Sequence, residues 1–181
     1  VRAVVTDPAG NTGTASDNGS VDNSVTITVV APDLTNDNTP TITGTTDAEA
    51  GQVVTVEITD AAGNVQTVST TVNPDGTYSV DAVTPLADGD YTAKATVSDV
   101  AGNTAEATDP GTVDTTATIS VTVPSGTDTT PTISGQTNDV EAGQVVTIVV
   151  TDKDGHAQTI STTVNPDGSY RVDVPAAVAD G

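Results

Sequence analysis

Apolar and polar positions alternate along much of the chain. Val54, Val56 and Ile58 are set against Thr55, Glu57 and Thr59, so aliphatic groups line one face of an extended segment and polar groups the other. That pattern predicts a strand with one buried face. Thr, Val and Gly dominate and no apolar stripe of period 3.6 lasts more than a turn, which disfavours helix throughout. In the stretch 23–114 the alternation predicts seven strands: Val25–Ala31, Thr41–Gly44, Gln52–Thr59, Val65–Val72, Thr77–Asp81, Tyr91–Ser98, and a short last one between Thr104 and Val113. The NPDG of Asn73–Gly76 interrupts them with a Pro that sets φ and a Gly that supplies positive φ, and is expected to close a hairpin. Tyr78 and Tyr91 are expected on neighbouring strands, with rings over a core of small side chains and hydroxyls in water.

The pattern is duplicated. The stretch NTPTITGTTDAEAGQVVTVEITDAAGN from Asn38 returns as TTPTISGQTNDVEAGQVVTIVVTDKDGH from Thr129, with one inserted residue beside Val140. The stretch VTDPAGNTGTASDNGSVDNS near the start returns from Val97, Asp7 becoming Asp99 at a spacing of 99 − 7 = 92, and Gly89 aligns with Gly181. A period of roughly 90–100 residues with closely spaced turn signals is that of an immunoglobulin-like sandwich. The expected fold is therefore all-β: tandem immunoglobulin-like, seven-stranded antiparallel β-sandwich repeats in an elongated array. Residues 1–22 are expected to form the last two strands of one repeat, 23–114 a complete repeat, and 115–181 the N-terminal part of a third that lacks its last two strands. Residues 1–22 have no partner strands of their own repeat and are not expected to fold alone. Such ends arise either from dividing a longer array out of frame or from repeats that complete one another head to tail between chains.

Composition sharpens this picture. Phe, Trp, Met and Cys are absent and only three Tyr are present, so the interior must be built from Val, Ile, Ala and Thr methyl groups. With no Cys there is neither a disulfide nor a thiolate metal site. Twenty-five acids against four bases give a formal charge of −21, which excludes nucleic acid as a partner and disfavours anionic membranes. So much like charge repels itself unless cations bridge it. No apolar run is long enough to insert in a membrane, and neither a signal peptide nor an initiating Met is seen; targeting information is expected elsewhere in a longer protein.

Most acids fall in loops, and antiparallel strands send successive loops to alternate poles of the sandwich. One junction between repeats should gather Asp17, Asp22, Asp47, Glu49, Asp99 and Asn103, and the next Asp109, Asp114, Asp139 and Glu141. Carboxylates so crowded need a counter-charge, and flexible oxygen-only ligands suit Ca²⁺, which takes six to eight oxygens at roughly 2.3–2.6 Å. Solvation alone would also place acids in these loops. Catalytic chemistry is missing. The single His, His156, stands where the other repeat has Asn64, and there is no Cys nucleophile, phosphate-binding loop or Ser with His and Asp beside it, so the chain reads as non-enzymatic.

The motifs TPTITG, AGQVVTVEITDAAGN, NPDGTYSV, LADGDYTAKATVSDVAGNT and VDTTA, in register over the whole chain, resemble the bacterial Ig-like repeats of giant type I secreted adhesins and biofilm-associated proteins. The resemblance implies an extracellular, cell-surface protein in which many such domains form a stalk. It implies interdomain Ca²⁺ that rigidifies the links, with ligands at positions matching Asp22, Asp47, Glu49 and Asp99. Neighbouring repeats are then the immediate partners, and a host-cell, glycan or matrix ligand would be met by a tip elsewhere. Two other readings stay open: repeats that themselves bind a receptor, glycan or matrix polymer, with Lys153 and His156 marking a copy-specific surface, and a self-associating filament or surface layer.

Overall fold

A computed structural model describes residues 1–179, and among them there are thirteen strands and no helix. Gly181, the counterpart of Gly89, lies outside the described residues. The chain divides into two compact units, residues 1–115 and 116–181.

The first unit opens with a hairpin. Strands β1 (Arg2–Thr6) and β2 (Thr12–Ser16) pair antiparallel from Arg2↔Ser16 to Thr6↔Thr12, and all ten residues are exposed. Residues 1–22 hold these two strands, and the pair buries nothing. The remainder of the unit is a two-layer sandwich. One layer pairs β3 (Thr41–Thr45) with β6 (Thr77–Asp81); the other has the order β5-β4-β7-β8, from β4 (Val53–Thr59), β5 (Val65–Thr71), β7 (Gly89–Ser98) and β8 (Thr104–Val113). Val54, Val56 and Ile58 of β4 and Ala93, Ala95 and Val97 of β7 are all 0–1% exposed between the layers. Burying each such Val or Ile is worth roughly 1.5–3 kcal/mol, and here aliphatics alone must supply most of the core.

Four expectations change. The first predicted strand, Val25–Ala31, forms no continuous strand: it meets β3 and the following Thr46 at the isolated bridges Val30↔Thr43 and Ile27↔Thr46, with the Thr28 N–H donating to Thr45 O at 2.8 Å between them. The last strand is not short: β8 runs ten residues and pairs with β7 along its whole length. The NPDG segment does form a tight turn, with Gly76 at φ 79 and its N–H donating to Asn73 O at 3.0 Å, but it is no hairpin, because β5 and β6 belong to different layers.

The fourth concerns the tyrosines. Tyr78 and Tyr91 also lie in different layers, each directly opposite a glycine, in the pairs Gly44↔Tyr78 and Tyr91↔Gly111. A Cβ on Gly44 would overlap both the Tyr78 ring and the Thr28 carbonyl oxygen; one on Gly111 would overlap Tyr91 and the Pro32 carbonyl oxygen. Ring and glycine therefore fit as a pair. The hydroxyls are not in water: Tyr78 donates to Thr28 O at 2.6 Å and Tyr91 to Pro32 O at 3.2 Å. Burial pushes both phenols up to about 12, with the Asp109 and Asp33 charges adding to the effect at Tyr91.

The second unit repeats part of this plan. Strands β9 (Thr118–Ile119), β10 (Thr132–Asn138) and β13 (Ser169–Asp173) form a sheet in the order β13-β10-β9, and β11 (Val145–Thr151) pairs with β12 (Ala157–Thr163). Gly135↔Tyr170 reproduces Gly44↔Tyr78, and the Tyr170 hydroxyl donates to Ser120 O at 2.7 Å. Val145↔Thr163 reproduces Val53↔Thr71.

Candidate functional site

The recurring polar element is an Asp-x-x-Gly-Asn turn. In the loop joining β7 to β8, Asp99 Oδ1 accepts the Asn103 N–H at 2.8 Å and Oδ2 accepts the Asn103 side-chain amide at 2.7 Å. Asp60 with Asn64 and Asp7 with Asn11 make the same pair of bonds. In each the Asn side chain is the main influence holding the Asp below the usual carboxylate range. Gly supplies positive φ at the fourth position, 91° at Gly102. His156 replaces the Asn in the second unit and keeps the turn: its N–H donates to Asp152 Oδ1 at 2.9 Å, and its Nδ1 lies 3.3 Å from Oδ2. Asp60 Oδ2 also accepts the Ala87 N–H at 3.2 Å, so one carboxylate ties two loops of the same pole.

At the opposite pole of the sandwich, four of the candidate cation ligands, Asp47, Glu49, Asp99 and Asn103, lie in neighbouring loops. Asp47 Oδ1 accepts the Thr26 N–H at 2.6 Å, which anchors the incoming segment. This bond chiefly lowers the Asp47 pKa, while the nearby Asp99 charge acts against it. Glu49 Oε2 accepts the N–H of Val100, the residue after Asp99, at 3.1 Å. Asn103 joins them through its amide, already committed to Asp99.

The other candidates are dispersed. Asp17 accepts from the Asn18 N–H at 3.0 Å, and Asp22 from Ser24 N–H at 3.3 Å. Asp109 lies within β8, opposite Ala93, with Oδ2 accepting the Ala31 N–H at 2.8 Å, so it serves the sandwich edge and not a loop. Asp114 follows β8 and its N–H donates to Thr35 O at 2.9 Å. Asp139 and Glu141 belong to the second unit. Asp139 takes φ 57, the sole non-glycine positive φ among the described residues, and its Oδ2 accepts from Thr116 Oγ1 at 3.3 Å. Glu141 is exposed.

The donors at Asp47, Glu49 and Asp99 are of the kind a hard divalent cation takes, since an ionised carboxylate oxygen that accepts one N–H retains acceptor capacity. They are not a preformed cage: among the described residues no three His, Asp or Glu side chains are gathered to hold a metal ion. The Tyr–Gly pairs and the Asp–Asn turns escaped the sequence reading. The turns had a visible signal, the fourfold D-x-x-G-[NH] spacing, whereas the Tyr–Gly pairs join residues distant in sequence.

The bacterial Ig-like domain family matches residues 28–115, the sandwich just described. A bacterial immunoglobulin-like domain from the M. primoryensis ice-binding adhesin is 38% identical, over 49% of this chain and 96% of that one, with a TM-score of 0.35. The chain belongs to the bacterial Ig-like domain family.

This bacterial Ig-like chain is also similar to a crystallised tetra-tandem repeat from the extending region of a large adhesion protein, at 35% identity over 96% of this chain and a TM-score of 0.50. A Ca²⁺-stabilized adhesin that helps an Antarctic bacterium reach out and bind ice is likewise 35% identical over 96% of the chain, with a TM-score of 0.46. The chain spans about half the length of these two structures, 47% and 48%. Among curated proteins none matches. No helix among the described residues is long and apolar enough to cross a membrane.

Proposed function

We propose that these bacterial Ig-like repeats are part of the extender of a cell-surface adhesin: a non-catalytic spacer that holds a binding region away from the bacterium and is stiffened by Ca²⁺. The observation that carries this reading is the match along 96% of the chain, through both periods, to a tandem repeat from the extending region of a large adhesion protein. The immediate partners are adjoining repeats. A ligand on a host cell, glycan or biofilm matrix would be met outside this stretch, and export by the type I route belongs to the same reading. Asp47, Glu49 and Asp99, with the incoming Asp22, would hold the cation, which would supply the counter-charge that a chain of net −21 lacks. Asp17, Asn103, Asp114, Asp139 and Glu141 complete the proposed set at successive junctions, whereas Asp109, engaged within β8, is left out of it.

Stability in such an array is a sum of repeat and interface terms, so a cation bound only by the folded form adds to it by mass action. At a hundredfold excess over its dissociation constant the gain is about 2.7 kcal/mol. Thermal unfolding and small-angle X-ray scattering of the chain, in Ca²⁺ and in chelator, test this. Higher melting and a greater maximum dimension are expected with Ca²⁺, and both gains should shrink in D47N and D99N. Identical melting and dimension in the two buffers would remove the cation from the proposal while leaving the spacer.

A further inference from the structure

We propose that β5 is a docking edge for a second copy of this chain, which lays its own β5, or the equivalent β12, antiparallel beside it. This inference does not depend on the spacer reading. A sheet edge exposes unpaired N–H and C=O groups, and proteins guard such edges with charge, Pro, bulges or covering chain. The other edges of the complete sandwich are guarded. The 31–35 segment lies along β8 from Asp109 to Val113, through Asp109 Oδ2 to the Ala31 N–H and the Thr35↔Val113 bridge, and the rest of β8 carries Glu106. Thr28 and Val30 donate their N–H groups to Thr45 O and Thr43 O of β3, and β6 ends in Asp81. β5 has no such guard. It terminates the order β5-β4-β7-β8, its sequence VQTVSTT holds no charge, Pro or Gly, and it pairs with β4 without a bulge from Val53↔Thr71 to Thr59↔Val65. In the second unit β12 reads AQTISTT and is equally free of charge.

The free stretch of this edge is Thr67–Thr71. At its start Gln66 spends its side chain on the 83–84 segment, Nε2 donating to Thr84 O at 2.8 Å and Oε1 accepting the Val83 N–H at 2.9 Å. Two such stretches run antiparallel about Ser69, with Ser69 opposite Ser69, Val68 opposite Thr70 and Thr67 opposite Thr71. In this register the exposed Thr67, Ser69 and Thr71 of both copies share the outer face, so the two sheets continue as one. Charge selects the occupant. In a chain of net −21 the paired stretch brings no acid from either copy, and Glu57, on the same face, stands one strand back opposite Thr67. The edge also recurs with the repeat, at 157 − 65 = 92 residues from β5 to β12, so several weak contacts between two arrays reinforce one another.

Sedimentation of the whole chain over a range of concentrations, in chelator so that no cation bridges the copies, should show reversible association that added NaCl strengthens by screening the net charge. A monomer at every concentration overturns the proposal, and so does association that salt dissolves, which would mean ion pairs. Ser69→Lys with Ser161→Lys lowers the net charge but sets two ammonium groups face to face, and should weaken association roughly tenfold or more. Thr108→Lys makes the same kind of change on β8 and should not weaken it. All three residues are exposed, so folding is preserved. An unaffected double variant, or an equal loss in Thr108→Lys, overturns the edge. Mixing the double Lys chain with a Ser69→Asp, Ser161→Asp chain should restore association, and no recovery counts against the pairing. Under mild oxidation a S69C chain should give several-fold more disulfide dimer than a T67C chain, whose two cysteines stand too far apart in this register. Equal yields overturn the register.

Discussion

Residues 23–115 and residues 116–179 are written in nearly the same sequence, yet they differ in how much of it they can use. In the first, seventeen buried residues form one continuous core, from Val29 through Val113. In the second the corresponding cluster is Val146, Val164 and Tyr170, with Val140 and Ile148 partly covered. Local pairings are copied faithfully, including Gly135↔Tyr170 and the β11–β12 register, so they follow from local sequence. Burial is copied only in part: Ile133, Val146, Val164, Tyr170 and Val174 stay buried like their counterparts, whereas Ile148 and Val150 are half-buried where Val56 and Ile58 are fully covered. Full cover of those positions requires the strands β7 and β8, and without them the pairing geometry is kept while part of the interior is lost.

The sharpest way to break this comparison is to separate the two. Residues 23–115 alone should unfold in one cooperative calorimetric transition, whereas residues 116–181 alone should give a broad, weak transition at much lower temperature. Equal melting of the two would show that β7 and β8 matter little. Next in size are the paired glycines. Gly44→Ala forces a Cβ into the Thr28 carbonyl and the Tyr78 ring and should cost about 3 kcal/mol, read as a lower urea midpoint for the first unit; Gly135→Ala should leave that midpoint alone. Tyr78→Phe removes the bond to Thr28 O and leaves a carbonyl short of its partner, for about 1–2 kcal/mol.

Smaller effects lie in pH. Burial raises the folded pKa values of Tyr78 and Tyr91 to about 12, above the ordinary phenol value of 10.0, so the unfolded chain gives up its protons first. Their contribution is complete below about pH 10 and is lost as pH rises from 10 towards 12. Alkaline titration followed by circular dichroism should show the first unit unfolding across that window, and a Y78F/Y91F double variant should lose the steepness. Asp60 and Asp99 are held low and act in the opposite sense. Their contribution is present above the ordinary carboxylate value and is lost as pH falls through the folded value, so Asp99→Asn should flatten the acid limb of the melting profile by a small amount.

The fold class, the period and the strands β3 to β7 were legible because alternation and turn chemistry are local signals. The pairing partners were not: NPDG looks like a hairpin turn, and only the fold shows that β5 and β6 face each other across the core. The incoming segment 25–31 reads as a strand by its alternation, Val25, Ile27 and Val29, but its chain crosses from one layer to the other and forms only bridges. Among the acids, the shared pole of Asp47, Glu49 and Asp99 followed from counting loops. Asp109 did not, since an acid in a strand looks like any other acid until its backbone partner, Ala31, is known.

One bridge bears on what happens when the ends are pulled. Thr35 and Val113, near the entry and exit of the intact sandwich, pair in parallel, with bonds from Thr35 N–H to Thr112 O, Thr112 N–H to Asp33 O and Asp114 N–H to Thr35 O. Tension drags two parallel segments past each other in opposite directions, so these three bonds are loaded in shear and share the force instead of unzipping singly. The sandwich behind them stays shielded until that latch gives way, and its rupture rate sets the load the domain can carry.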